Sequence, residues 1–392
     1  MAKTQKILTL NAISRRGLAR LPERYRVGND VAEPDAILVR SQDMHAMSIG
    51  ASVMAIARAG AGTNNIPVLK MSERGVPVFI SPGANANAVK ELVIAGMLLG
   101  ARNLAQAICF VFGLRGDDES LHQQVEAGKK AFVGHELPGR TLGVVGLGAI
   151  GSMVADAAIR LGMNVIGYDP EITVDAAWRL PAQVKKAATV EDLIKHSDFI
   201  SLHTPLVPAT QDLINADRIK LMRKGCVLLN FARDGIVNEQ SVLDGLNDNK
   251  LHAYICDFPS NLLKHHPRFV ALPHLGASTE EAEENCAIMA ADQLVDYLEN
   301  GNIQNAVNFP NIHLARESAY RLAIANANVP NMLGQISTEL AAAGLNIHNM
   351  VNKSKAEMAF TLVDVDAAVP DAIIARLAAI AGVLRVRYLP FE

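Results

Sequence analysis

Leu142-Gly143-Val144-Val145-Gly146-Leu147-Gly148-Ala149-Ile150-Gly151 is the stretch that decides the fold. An apolar, strand-like run enters three glycines at G-x-G-x-x-G spacing, and a helix-like segment follows to Leu161. A second apolar run, Val165-Ile166-Gly167-Tyr168, closes on Asp169, eighteen residues past Gly151. Together these parts form the dinucleotide-binding fingerprint. Gly146 makes the tight turn, Gly148 lets backbone approach a pyrophosphate, and Gly151 lets the helix lie against the strand. The helix N-terminus offers unpaired N–H groups to that anion. Asp169 is placed to accept from ribose hydroxyls and to repel a 2′-phosphate. Pro170-Glu171 follow it rather than an arginine, so NAD is the expected cofactor.

The fingerprint starts at residue 146, so a sizeable unit precedes it. The first ninety residues alternate short apolar runs (Ile7 to Leu10, Ala36 to Val39, Val53 to Ala57, Val76 to Ile80) with polar turns, predicting a small α/β unit with a parallel sheet. From 142 to 273 the βα rhythm is regular, with strands expected at 142–145, 164–168, 198–202, 226–231, 252–256 and 269–272: a doubly wound sheet. Residues 85–107 and 278–298 read as single long helices, and 303–317 as a linker. The tail predicts strand 320–327, helix 332–343, strands 346–353 and 358–365, helix 370–381 and strand 384–388, a βαββαβ domain. The expected division is a first part at 1–90, a nucleotide domain at 91–275, a return helix at 276–302, the linker, and a C-terminal domain at 318–392.

A length of 392 residues suits two to three domains. Half the residues are apolar, a fifth are charged, and the net charge is −3 with no basic block, which argues against nucleic-acid and membrane-surface partners. The scattered Cys109, Cys226, Cys256 and Cys286 form no CxxC pair and read as buried thiols of a reducing compartment. No metal site is expected. Asn11, Arg15 and Arg16 interrupt the N-terminal apolar run, and Leu92 to Ala101 is too short to span a bilayer, so a cytoplasmic protein is expected.

Ligands of open α/β sheets bind beyond the carboxyl ends of the strands. There the sequence places Asp169, His203-Thr204-Pro205, Arg233, Asp257 and His274. An arginine, an aspartate and a histidine on a nicotinamide domain fit hydride transfer at a hydroxyl-bearing carbon. Neutral histidine exchanges the hydroxyl proton, and arginine grips a carboxylate and polarises the neighbouring oxygen. The cofactor supplies the redox step.

Asn230-Phe231-Ala232-Arg233-Asp234-Gly235-Ile236-Val237 and Leu272-Pro273-His274-Leu275-Gly276-Ala277-Ser278-Thr279 resemble signatures of the D-isomer-specific 2-hydroxyacid dehydrogenases. So do Arg40-Ser41, Ala59-Gly60-Ala61-Gly62-Thr63-Asn64 and Ser81-Pro82-Gly83-Ala84-Asn85. The resemblance covers about the first 300 residues. It implies a Rossmann domain inserted in a flavodoxin-like substrate-binding domain. It also implies Arg233 on the substrate carboxylate and carbonyl oxygen, His274 as acid/base, and Asp257 beside them. Gly60, Ala61 and Gly62 would hold the carboxylate, and Arg40, Ser41 and Asn85 the phosphate end of a substrate. Gly146, Gly148, Ala149, Ile150, Gly151, Asp169, Thr204, Phe231, Ala232, Arg233, Asp257, His274, Gly276 and Ala277 would line NAD.

Asn328-Val329-Pro330-Asn331-Met332-Leu333-Gly334 and Gly344-Leu345-Asn346-Ile347 make the tail similar to an ACT domain, a ferredoxin-like fold that binds amino acids. The combination implies oxidation of 3-phospho-D-glycerate at the entry to serine biosynthesis, with serine as a feedback effector at Asn326, Asn328 and Asn346, in a homodimer or homotetramer. The other readings are a glyoxylate or hydroxypyruvate reductase and, in another class, a non-catalytic NAD-sensing corepressor. One departure stands out. The family usually has a glutamate five residues after the aspartate at 257, hydrogen-bonded to the catalytic histidine. Leu262 stands there, so the histidinium loses a stabilising partner, and oxidation is expected to persist to lower pH than in relatives.

Overall fold

A computed structural model describes residues 4–391, and their contacts divide the chain into two compact units. One contains everything up to Ala84 together with everything from Glu280 on. The other is Asn85–Thr279. The divisions fall at 84/85 and 279/280, where the sequence reading set 90/91 and 275/276.

The first unit opens with β1 (Lys6–Leu10), β2 (Arg26–Gly28), β3 (Ala36–Val39), β4 (Ala55–Arg58) and β5 (Val78–Phe79). They form a parallel sheet in the order β2-β1-β3-β4-β5, the flavodoxin-like order. β3 and most of β4 are buried on both faces, as unbroken apolar runs such as Ala36-Ile37-Leu38-Val39 require. The helix Glu280–Asn300 covers one face of the sheet, burying Ala287, Ala290, Ala291, Leu294 and Tyr297 in a core shared with Ile7, Leu38 and Phe79.

The second unit holds β6 (Thr141–Val145), β7 (Asn164–Tyr168), β8 (Lys185–Lys186), β9 (Phe199–Leu202), β10 (Cys226–Asn230), β11 (Leu251–Cys256) and β12 (Phe269–Ala271). Its order is β12-β11-β10-β9-β6-β7-β8, all parallel. The connections leave β6 toward β7 on one side and toward β9 on the other. This topological switch point opens a crevice at the carboxyl end of β6, where the glycine loop begins.

The C-terminal sheet is antiparallel: β13 (Tyr320–Ala327), β14 (Ile347–Lys355), β15 (Met358–Val365) and β16 (Val383–Pro390), in the order β14-β15-β13-β16. The helices Met332–Ala342 and Asp371–Ala378 pack on one face through Ile336, Leu340, Ile373 and Leu377. The other face packs Ala323, Phe360 and Leu362 into the core of the first unit, with Phe79, Tyr297 and Phe309. This is the βαββαβ order expected from the sequence.

Three expectations are corrected. The helix foreseen at 85–107 breaks at Asn103, whose φ of 52° is left-handed, giving Ala86–Arg102 and Leu104–Gly113 bent by 66°. The stretch 303–317 is no loose linker: Ile303 bridges Ile312, Ala306 bridges Phe79, and Phe309 is fully buried. Cys109 is exposed, while Cys226, Cys256 and Cys286 are buried thiols. Among the described residues no group of histidine, cysteine and acidic side chains is placed to hold a metal ion, and no single helix is long and apolar enough to cross a membrane.

Candidate active site

β6 delivers the chain to the crevice, and the three glycines then do separate work. Gly146 has a φ of 91°, and a side chain there would meet the His203 carbonyl oxygen at 2.6 Å. A Cβ on Gly151 would lie 1.9 Å from the Gly146 carbonyl oxygen, so only glycine lets the helix Ala149–Arg160 start so close to its strand. Gly148 faces open space, the approach a diphosphate needs. At the end of β7 the Asp169 carboxylate is half-buried and accepts from the Leu147 N–H at 2.8 Å and the Glu171 N–H at 3.0 Å. The acid is thereby fixed beside the glycine loop.

Beyond β9, Thr204 keeps a buried hydroxyl with no partner. Its neighbour His203 sets Nε2 2.8 Å from the Ser201 hydroxyl, while its Nδ1 is buried and unpartnered. Burial lowers His203 to about 4, so this imidazole is neutral at physiological pH.

β10 ends in the buried Asn230, which organises the next turn. Its Oδ1 accepts from Ala232 N–H at 3.2 Å, and its Nδ2 donates to the Arg233 carbonyl at 3.0 Å. Phe231 is buried beneath, and the Arg233 guanidinium is exposed, donating to the Ala232 carbonyl. At the end of β11 Asp257 is buried, accepting from the Gly276 N–H at 3.2 Å through Oδ2 and leaving Oδ1 unpartnered. Burial pushes its carboxyl up, and His274, the Gly276 N–H and Arg233 oppose the shift. His274 is exposed, with the edge-on Phe258 ring 5.2 Å away.

The buried polar atoms without partners, the open face at Gly148 and the acid at Asp169 suit a dinucleotide. Residues 108–276 match the family model of the D-isomer specific 2-hydroxyacid dehydrogenase NAD binding domain. A D-3-phosphoglycerate dehydrogenase of Haemophilus influenzae is 32% identical over 341 residues, covering 84% of this chain and 79% of that one. The chain belongs to the D-isomer specific 2-hydroxyacid dehydrogenases. A D-3-phosphoglycerate dehydrogenase of Methanocaldococcus jannaschii is 35% identical over 291 residues, 72% of this chain but 53% of that one, so the chain spans about half the length of that relative. A solved structure, the NAD+-bound 3-phosphoglycerate dehydrogenase of Entamoeba histolytica, aligns with a TM-score of 0.59 at 26% identity, covering 80% of this chain and 100% of that one.

In the first unit, Arg40 follows β3 and is ion-paired with Glu283, while the Ser41 N–H is held by Asn11 Oδ1 at 3.0 Å. Gly60 has a φ of 157°, and its carbonyl accepts from Ser81 N–H at 2.9 Å. A side chain on Gly62 would lie 2.5 Å from Arg58 Nη1, so the Arg58 guanidinium sits over the Gly60–Gly62 loop. The sequence reading missed Arg58 and the role of Asn230. Arg58 carries the same signal as the others, a charged residue closing an apolar strand, on the first sheet rather than the second. Asn85 is in the second unit, at the N-terminal boundary of the helix Ala86–Arg102. Leu262 is an exposed turn residue.

The three asparagines expected to hold an effector do not gather. Asn326 and Asn328 line a cavity of about 220 Å³ with Asn331, Gly334 and Asn352. Asn326 is buried and reaches Asn352 through Thr361, at 3.5 and 2.7 Å. Asn346 instead donates to Asp366 at 2.8 Å. It precedes the Ile347–Val365 pair, whereas Asn326 pairs with Ala359, six residues along β15 or about 20 Å away.

Proposed function

We propose that the chain oxidises 3-phospho-D-glycerate to 3-phosphohydroxypyruvate with NAD, the first step of serine biosynthesis. The carrying observation is that Arg233, Asp257 and His274 follow the carboxyl ends of three neighbouring strands, β10, β11 and β12, of the sheet that bears the glycine loop. A non-catalytic NAD sensor has no need of such a set. NAD would rest on the Gly146–Gly151 loop and the start of the following helix, with Asp169 on its ribose, Thr204, Phe231 and Ala232 along its length, and Gly276 and Ala277 near Asp257. When bound it supplies the hydride acceptor. Neutral His274 takes the C2 hydroxyl proton, and Arg233 holds the carboxylate while stabilising charge that develops on the oxygen. Asp257 holds the loop that carries His274 through its bond from the Gly276 N–H. Arg40, Ser41, Arg58 and Asn85 are assigned to the phosphate end, and the Gly60–Gly62 backbone to the carboxylate. By this reading the substrate-binding domain is 1–84 with the helix Glu280–Asn300, and 318–392 is an ACT domain.

Initial rates with NAD across 3-phosphoglycerate, glycerate, glycolate and lactate test the reading. Preference for the phosphorylated acid supports it; turnover of glycolate or lactate with the phosphorylated acid ignored would overturn it. L-Serine is assigned to the Asn326–Asn328–Asn352 cavity as a feedback effector. Rates unchanged by serine, together with no calorimetric binding, would remove that assignment. A cytoplasmic homo-oligomer is part of the same proposal. Its contact surface is the helix Leu104–Gly113, which buries none of its residues and exposes Ile108, Val111 and Phe112.

A further inference from the structure

The first unit contains a cavity of about 590 Å³ that the proposed reaction does not use. One wall is Ile80 and Pro82, just after β5, and the opposite wall is the end of β14, Lys353-Ser354-Lys355. Lys353 and Lys355 are two residues apart on one strand, so they project on the same face. Among the residues that line the cavity none is acidic, and neither lysine is ion-paired with a carboxylate among the described residues. Lys355 donates instead to the Ala306 carbonyl at 3.1 Å. Two like charges in a concave, partly apolar wall concentrate a positive potential that no residue lining the cavity neutralises. The Ser354 hydroxyl and the Asn311 amide add polar groups around it, and Pro82 and Ile80 offer surface to a short carbon skeleton.

We propose that this cavity is a binding site for a small anion, a phosphate or a carboxylate, with Lys353 and Lys355 as its counter-charges. The site differs from the asparagine cavity near Met332, with which it shares no lining residue. Its position ties it to β5. Ala306 bridges Phe79, the Val307 N–H donates to the Val78 carbonyl at 2.9 Å, and the Ile80 N–H to the Asn305 carbonyl at 3.2 Å. The segment gripped by Lys355 is therefore stitched to β5, whose exit is Ser81-Pro82-Gly83-Ala84. An anion between the lysines and Pro82 tightens the C-terminal sheet onto that exit. The site stands whichever 2-hydroxy acid the enzyme oxidises.

Lysine acetylation read by mass spectrometry tests it on the full chain, with inorganic phosphate and citrate as probes and chloride at matched ionic strength as control. Acetylation of Lys353 and Lys355 is expected to slow about twofold when the probe equals its Kd and about tenfold at ten times that concentration, with exposed Lys195 and Lys224 unaffected. Protection by phosphate alone assigns a phosphorylated ligand, by citrate alone a carboxylate, and either supports the site. Protection no greater than with chloride, or equal at Lys195, overturns it. Calorimetry provides the second arm: Lys353→Gln with Lys355→Gln must lose one protecting-anion equivalent per chain. An unchanged stoichiometry would sink the proposal.

Discussion

A neutral histidine beside the glycine loop links stability to pH. His203 titrates near 4 in the folded chain against an ordinary 6.5. Between these values the unfolded chain binds a proton that the native one refuses, so stability present above pH 6.5 is lost as pH falls toward 4. The shift corresponds to about 3 kcal/mol. His203→Gln is expected to flatten the slope of Tm against pH across that window; a slope equal to the parent's would refute the assignment. Replacements at the reacting groups should move rate rather than stability, because both side chains are exposed. His274→Gln is expected to lower kcat/KM about 10²- to 10⁴-fold. Arg233→Lys keeps the charge but loses the two-pronged geometry, and about a 10²-fold fall is expected. Measured rates within a few-fold of the parent would exclude either role. Much of this was legible residue by residue, since charged groups closing apolar runs stand out in the sequence. The anchors were not: Asn230 acts through hydrogen bonds to a turn, and nothing in its spacing tells which carbonyl it will meet.

At the scale of elements the glycines make a sharp contrast. Gly151→Ala pushes a methyl group into the Gly146 carbonyl, so the helix must shift off β6, and both Tm and NAD affinity should fall. Gly148→Ala meets nothing within 4 Å, so its Tm should match the parent's while NAD affinity falls. Thermal melts beside NAD titrations separate the two; equal melting losses would contradict the geometry. The helix Leu104–Gly113 poses the opposite problem, an apolar element that buries none of its residues in one chain. Ile108→Asp with Phe112→Asp is expected to shift light-scattering mass to a smaller species, and an unchanged mass would place the contact elsewhere. The break before it, at Asn103, was hidden because the apolar pattern runs straight through. There Asn103 Oδ1 lies 2.9 Å from His252 Nε2, and its Nδ2 donates to the Val133 carbonyl at 3.3 Å. Tertiary hydrogen bonds outweigh helical periodicity at that residue.

Across the first unit as a whole, two buried arginines tie the C-terminal sheet to the rest. Arg321 and Asp364 form a fully buried two-pronged pair, at 2.6 and 2.7 Å, and Arg321 also donates to the Asn300 and Leu314 carbonyls. Arg387 donates to the carbonyls of Tyr297 and Leu298 at 3.0 and 2.8 Å, capping the end of the long helix. Asp364→Ala strands the Arg321 charge in the interior and is expected to cost about 3–5 kcal/mol. Denaturant unfolding checks this, and a loss below about 1 kcal/mol, the scale of an exposed pair, would show that the site is wet.

The sequence by itself determined the two parallel sheets, the inserted dinucleotide fold, the C-terminal βαββαβ order and the strand-end residues. Each of these is written in local signals: apolar periodicity, glycine spacing, and charge at the end of an apolar run. Only the tertiary structure decided that 303–317 is bound to β5 and buries Ile303, Phe309, Ile312 and Leu314, that Asn346 lies apart from Asn326, and that Lys353 and Lys355 share a cavity with Pro82. Those outcomes depend on which faces pack together, and packing is set by contacts between residues that are not neighbours in the sequence. The fingerprint at Gly146 states its own geometry; the cavity at Lys353 exists only because three separate segments close around it.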